Sequence, residues 1–288
     1  MTERTDIVIA GGGMVGVSLA LELARALPQD TSILLVEGFP LPGPGENIDY
    51  HPSFDARSTA LSYSSRLIYE RMGVWDELCQ WLCPITSIHV SSRGRFGSAV
   101  LNAADHDWPA LGYVVENAWL GNTLVQALHR QDRVRTICPA RVVAVGPVGA
   151  GVRLALEGEV EHPIEAGLLL VADGANSRLC EQLGVVTEEK PYGQSALVAN
   201  VGSRQPHDSR AFERFTDEGP LALLPLLGVA GCEQRSALVW TLPPDSAEEM
   251  QHCSQEQFLA RLQERFGYRL GRLRQVGERV VYPLTLSQ

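Results

Sequence analysis

The chain has 288 residues, 45% of them hydrophobic, with 24 Lys and Arg against 34 Asp and Glu for a formal net charge of −10. That apolar share excludes a disordered chain and is enough for one large domain or two interleaved ones. The acidic balance excludes a general nucleic-acid binder, which needs surplus Lys and Arg to neutralise phosphates, so no nucleic-acid partner is expected.

Ile7–Ala10 reads as a buried strand, because consecutive apolar residues end at a glycine cluster. Helical spacing follows from Val15 to Leu27, with Val15, Leu19, Leu23 and Leu27 predicted on one face of an amphipathic helix and Pro28 as the stop. Ile33–Val36 is a second buried strand, and Glu37 follows it directly. This is a βαβ opening. Residues 38–52 turn to Pro, Gly and polar types and read as a loop, and a helix is predicted over Ser64–Met72, stopped by Gly73. Short strand-like pieces lie between Ser87 and Val115, a helix over Leu120–Leu128 and alternating strands over Val142–Glu157. Leu168–Ala172 reads as another fully buried strand, running into Asp173 and Gly174.

After Tyr192 the chain is richer in strands, at Ala196–Val201, Leu221–Leu224 and Ala237–Trp240. A helix over Gln255–Phe266 is marked by Ser254 and Gln257 as a capping box, with Phe258, Leu259, Leu262 and Phe266 on one face. The fold class is α/β: a Rossmann-like dinucleotide-binding domain (residues 1–80 and 101–191) interleaved with a strand-rich α+β domain (81–100 and 192–288).

Cys79, Cys83, Cys138, Cys180, Cys232 and Cys253 contain no CxxC pair, so no metal site is expected, and scattered thiols fit a reducing compartment. No signal-peptide layout precedes the first strand. The most apolar stretch, Leu221–Ala230, is broken by Pro225 and Gly228 and falls short of the ~18 residues that span a bilayer. The expected location is cytoplasmic, at most peripheral to the inner face of a membrane.

Gly11-Gly12-Gly13-Met14-Val15-Gly16 supplies a G-x-G-x-x-G turn after a strand and before a helix. Gly11 permits the tight turn, Gly13 lets a pyrophosphate approach the backbone, and Gly16 lets the helix pack against the sheet. The pyrophosphate and the segment that starts at Met14 meet at the helix N-terminus, where free N–H groups favour negative charge. Glu37 lies 21 residues after Gly16, where a carboxylate accepts hydrogen bonds from ribose hydroxyls. It disfavours a 2′-phosphate, so the nucleotide at this turn reads as NAD or FAD. The second motif, Val171–Arg178, contains Asp173, Gly174, Ser177 and Arg178 at a strand end. On spacing alone it is equally an Asp-Gly turn followed by an Asn or Ser helix cap.

Together these motifs resemble the FAD-dependent class A aromatic hydroxylases, the group containing p-hydroxybenzoate hydroxylase. In that family an Asp-Gly motif with a following Ser and Arg lies near the flavin and the NAD(P)H pyrophosphate; Asp173, Gly174, Ser177 and Arg178 match it. Phe54–Leu61 resembles the segment that sets an Arg against the FAD, and Arg57 holds that position. Gly112–Asn117, Tyr192–Val201 and Ala211–Pro225 are similar to the ubiquinone-biosynthesis hydroxylases, and this places Asn117 among the cofactor-site residues. The resemblance implies FAD as cofactor, NADH or NADPH as reductant, O2 as co-substrate and a flavin C4a-hydroperoxide as oxidant. It also implies a polyprenylated phenol (a methoxyphenol) as substrate, with other ubiquinone-synthesis proteins as partners. The family's third motif, expected after Tyr282 to contact the ribityl chain, is not found in these residues. A shortened chain with weakened FAD binding is therefore expected.

The resemblance requires no Ser-His-Asp nucleophile, and none is assigned. His51, His89, His106, His129, His162, His207 and His252 show no metal spacing and read as surface or satisfied histidines. Leu221–Leu227 reads as a core strand before it reads as a prenyl groove. A NAD-dependent dehydrogenase, which would need a continuous parallel sheet, and a flavin-free prenyl-phenol binder are the rival readings.

Overall fold

The computed structural model describes residues 3–46, 57–158, 162–175, 177–186 and 188–287. His51, Phe54, Asp55, Ala56 and Asn176, used in the readings above, lie outside the described residues. The first half contains strands β1 (Glu3–Ala10), β2 (Ile33–Val36), β3 (Ser58–Ser62), β4 (Cys83–Ile85), β5 (Ser87–Ser92), β6 (Ser98–Asn102), β7 (Gly112–Glu116) and β8 (Val134–Ile137). Helices α1 (Met14–Ala26), α2 (Tyr63–Arg71), α3 (Trp75–Leu78) and α4 (Asn117–His129) alternate with them. Next come β9 (Ala140–Val148), β10 (Gly151–Gly158), β11 (Ile164–Val171), α5 (Arg178–Gln182), β12 (Glu189–Ser203), β13 (Arg210–Phe215), β14 (Pro220–Leu226) and β15 (Arg235–Leu242). Helices α6 (Pro244–His252) and α7 (Gln255–Phe266) precede β16 (Leu273–Val276) and β17 (Val280–Ser287).

The chain packs as two compact units. One comprises Met1–Ala56, Tyr69–Leu78 and Asn117–Thr187; the other comprises Arg57–Ile68, Cys79–Glu116 and Glu188–Gln288. Segments 57–68 and 101–116 therefore group with the strand-rich unit, where the sequence boundaries put them with the Rossmann-like one. The reason is pairing: β7 is the middle strand of a three-stranded sheet, β3-β7-β4, that holds both segments.

In the first unit the six-stranded sheet runs β8-β2-β1-β11-β10-β9. The pairings of β8, β2, β1 and β11 are parallel, and β10 and β9 continue antiparallel. The sheet is thus mixed, unlike the continuous parallel sheet of the dehydrogenase reading. Ile7–Ala10 and all of β2 are buried, as apolar strands covered on both faces must be. Val8, Leu34, Val36, Leu154, Ile164 and Ala166 form a core on one face.

Two sequence expectations change here. Helix α1 buries Gly16, Val17, Ala20, Leu21 and Ala24, while Val15 is 72% exposed. Small residues face inward because α1 lies too close for a leucine row. Strand β11 is not buried throughout, since Leu168 is 48% exposed. β10 pairs with β11 only at Ile164–Ala166, so the strand beyond Ala166 loses that neighbour.

In the second unit an eight-stranded sheet runs β16-β12-β15-β14-β13-β5-β6, with β17 also pairing β12. Its core face carries Leu197, Phe212, Leu221, Leu223, Leu238 and Trp240 against Ala247, Met250, Phe258, Leu262 and Phe266 of α6 and α7. Leu221, Leu223 and Leu226 are buried, so this run is core strand as expected, and only Leu227 at its end is substantially exposed. The capping box of α7 is complete: Gln257 N donates to Ser254 Oγ at 3.2 Å, and Ser254 N donates to Gln257 Oε1 at 3.1 Å. Among the described residues, no helix is long and apolar enough to cross a membrane. Replacing Phe258, which is fully buried and edge-on to Trp240 at 6.3 Å, with Ala is expected to cost about 3–5 kcal/mol in urea unfolding.

Candidate dinucleotide-binding site

The site is built where β1 stops. Gly11 adopts φ +109°, a backbone angle that side chains disfavour. Its N–H donates to Val36 O at 2.8 Å, and Ala172 N donates to Ala10 O at 2.7 Å, so the turn is clamped between β2 and β11. A Cβ on Gly11 would lie 2.3 Å from Ala172 O and 2.8 Å from Asp173 Cα. The two sequence motifs therefore touch. A Cβ on Gly16 would lie 1.8 Å from Gly11 O and 3.5 Å from Ile9 Cγ2, which fixes α1 hard against the turn. At Gly13 a Cβ would meet nothing within 4 Å. Protein packing thus explains glycine at 11 and 16 and makes no demand at 13.

Gly13 is the N-cap of α1, supplies no side-chain cap, and no acidic residue stands in the first turn. The first N–H groups of the helix, beginning with Met14, have no intrahelical acceptor and carry the positive end of the dipole. Glu37 is buried directly under the turn, 6% exposed. Its Oε2 accepts from Gly12 N and its Oε1 accepts from Phe39 N at 2.8 Å. Each carboxylate oxygen has a second lone pair, so Glu37 satisfied in this way can still accept from a hydroxyl.

Asp173 and Gly174 are exposed beside the turn, with Gly174 at φ +102°. Ser177 is buried and caps α5, accepting from Cys180 N at 3.1 Å; the cap reading of this residue is what the geometry shows. Arg178 is exposed at the start of α5. Asn117 is buried, 5% exposed, at the start of α4 in the same unit. Arg57 belongs to the second unit, where its guanidinium carbon lies 4.8 Å from the Tyr282 ring centroid.

No family model matches the chain. It is 32% identical over 283 residues to ubiquinone hydroxylase UbiL of Rhodospirillum rubrum, covering 98% of this chain and 62% of that protein. It is also 32% identical over 269 residues to 3-demethoxyubiquinol 3-hydroxylase of Escherichia coli, covering 93% of this chain and 65% of that protein. The chain thus spans a little less than two thirds of these relatives. It superposes on PqsL, a probable FAD-dependent monooxygenase from Pseudomonas aeruginosa, with a TM-score of 0.72 at 19% identity over 91% of this chain and 67% of that one. The chain has the fold of the FAD-dependent monooxygenases. The resemblance drawn from its motifs extends over nearly its whole length.

Sequence reasoning missed two groups in the second unit. Arg235 makes a two-point ion pair with Glu116, at 3.2 and 2.8 Å, joining β15 to β7. Glu213 stands on β13 opposite Ala222 and Val90. It alternates away from Phe212, so it leaves the α6–α7 core face. Burial alone pushes its carboxyl above the ordinary value of 4.5. The signal was the odd–even alternation of Ala211–Phe215, legible only once the strand was known.

Gly16→Ala is expected to lower stability by about 1–3 kcal/mol through overpacking, while Gly13→Ala leaves the melting temperature nearly unchanged. Thermal melts of the two variants check this. A raised folded-state pKa at Glu213 means that its ionisation costs stability as pH rises through that pKa. Glu213→Gln should therefore raise the melting temperature at pH 8, and the gain should vanish as pH falls below 4.5, read from melts across pH.

Proposed function

We propose that this chain is the FAD-binding and substrate-binding portion of a monooxygenase that hydroxylates the ring of a polyprenylated methoxyphenol in ubiquinone biosynthesis. The observation that carries the reading is the glycine turn over Glu37, in a chain 32% identical to a ubiquinone hydroxylase across 98% of its length. Run Ala211–Thr216 resembles 2-polyprenyl-6-methoxyphenol hydroxylase most. The reductant is NADH or NADPH and the oxidant O2, with other ubiquinone-synthesis proteins and a membrane surface as further partners.

The residues of the first unit fit a dinucleotide. The N–H groups at the start of α1 would hold the pyrophosphate, Gly13 would let it approach, and Glu37 would accept from the adenosine ribose. Asp173 and Gly174 lie beside the same turn. The chemistry supplied by bound FAD is transfer of reducing equivalents from the nicotinamide cofactor to O2. Arg57 and Asn117 are proposed as further cofactor contacts. Glu213 is proposed to accept a hydrogen bond from the ring hydroxyl, because a half-buried carboxylate beside aliphatic residues gains most from such a donor.

Titration with FAD, followed by flavin fluorescence quenching, should saturate with the 288-residue chain. Gly13→Val should weaken it by about tenfold or more with an unchanged melt. A folded chain that quenches no FAD but binds NAD would replace this reading with the dehydrogenase. For Glu213, binding of 2-methoxyphenol should exceed that of its O-methyl ether, and Glu213→Gln should shrink that preference without altering FAD binding.

A further inference from the structure

A cluster of cations lies in the second unit where β5, β13 and the turn after α7 meet. Arg210, Phe212 and Arg214 share one face of β13 and stand opposite Ser87, His89 and Ser91 of the parallel β5. Phe212 forms the floor, its ring edge-on to Phe266 at 5.5 Å and tilted against His89 at 5.8 Å. Around it, three guanidinium groups are held by neutral acceptors. Arg210 Nε donates to Ser87 Oγ at 3.0 Å, and Arg269 Nη1 donates to Phe266 O at 3.2 Å. Arg214 Nε donates to Arg265 O at 2.9 Å and its Nη1 to Ser91 Oγ at 3.3 Å.

The neighbouring carboxylates are already engaged elsewhere. Asp217 pairs with Arg93 at 3.3 Å and Arg265 at 3.5 Å, Glu264 with Arg93 at 3.1 Å, and Glu218 with Arg265 at 2.9 Å. Among the described residues, no ion pair joins a carboxylate to Arg210, Arg214 or Arg269. Two groups respond to this arrangement, with burial the larger cause in each. Burial, then Arg269 and Arg93, holds the Arg214 guanidinium below its ordinary pKa. Burial, then Arg269, with Arg210 and Arg214, lowers the imidazole of His89. A hydrogen bond to its own backbone acts in the opposite direction, and His89 Nδ1 is buried with no partner on another residue.

Like charges fixed side by side repel unless an anion joins them, and the chain as a whole is acidic at −10. Guanidinium forks match the oxygens of phosphate better than any other common side chain. We propose that Arg210, Arg214, Arg269 and His89 form a binding site for a phosphate-type oxyanion, a phosphate monoester or diphosphate. It lies on the second unit, whereas the glycine turn belongs to the first.

The test is a titration of the chain with inorganic pyrophosphate at constant ionic strength, followed by the NMR signals of the His89 imidazole. A saturable shift is expected, with the His89 pKa moving upward because the anion offsets Arg269, Arg210 and Arg214. Arg210→Gln and Arg269→Gln, both at exposed positions, should each weaken binding by about tenfold. Arg153→Gln, whose partner Glu165 lies in the first unit, should leave it unchanged, and FAD titrations should be the same in all three. Co-sedimentation with phosphatidylcholine vesicles, with and without phosphatidic acid, identifies the source. Pyrophosphate-competed binding to the phosphatidic acid vesicles assigns a lipid headgroup; pyrophosphate binding without vesicle binding assigns a soluble phosphate. Either supports the site. No saturable shift at His89, or binding unchanged in both arginine variants while their melts match wild type, overturns it.

Discussion

The carbonyl oxygen of Gly11 occupies the space where a Cβ of residue 16 would stand, 1.8 Å away. Helix α1 can begin at that distance from β1 only because residue 16 carries hydrogen there. The same closeness explains the inner face of the helix, Val17, Ala20, Leu21 and Ala24, where two alanines keep the approach short. It also sets the uncapped start of α1 directly after the turn that ends β1, where the Glu37 carboxylate ties Gly12 and Phe39. Lose that contact and both the helix position and the geometry that favours a pyrophosphate go with it.

Glu37 and Glu213 show one residue type in two environments. Glu37 is almost fully buried, yet its oxygens accept from two backbone N–H groups, which replace the water it lost. Glu213 is half-buried beside aliphatic neighbours, and desolvation is the cause of its raised pKa. The first carboxylate is a fixed structural acceptor; the second is better placed to gain from a donor brought by a ligand.

The large sheet of the second unit divides its labour by alternation. One face is closed by α6 and α7 around Trp240, Phe258 and Phe266. At the β5–β13 end of that face Arg210, His89 and Arg214 flank Phe212, and Arg214 reaches Arg265 O of α7. Carboxylates nearby serve Arg93 and Arg265, and the charge left over makes this edge basic in an acidic protein.

The sequence alone determined the βαβ opening, the glycine turn with Glu37 beyond it, the α7 capping box and the strand-rich second part, because each is a local pattern of spacing and turn chemistry. It misjudged the inner face of α1, where evenly spaced leucines were a weaker guide than the closeness imposed by Gly16. It also misjudged β11, whose burial depends on how far β10 accompanies it. Segments 57–68 and 101–116 went to the other unit because β7 pairs with strands distant in sequence. Only the tertiary structure set Asp173 against Gly11, paired Arg235 with Glu116 and gathered Arg210, Arg214 and Arg269 around His89. Such contacts join residues from separate strands, and no local spacing encodes which strands become neighbours.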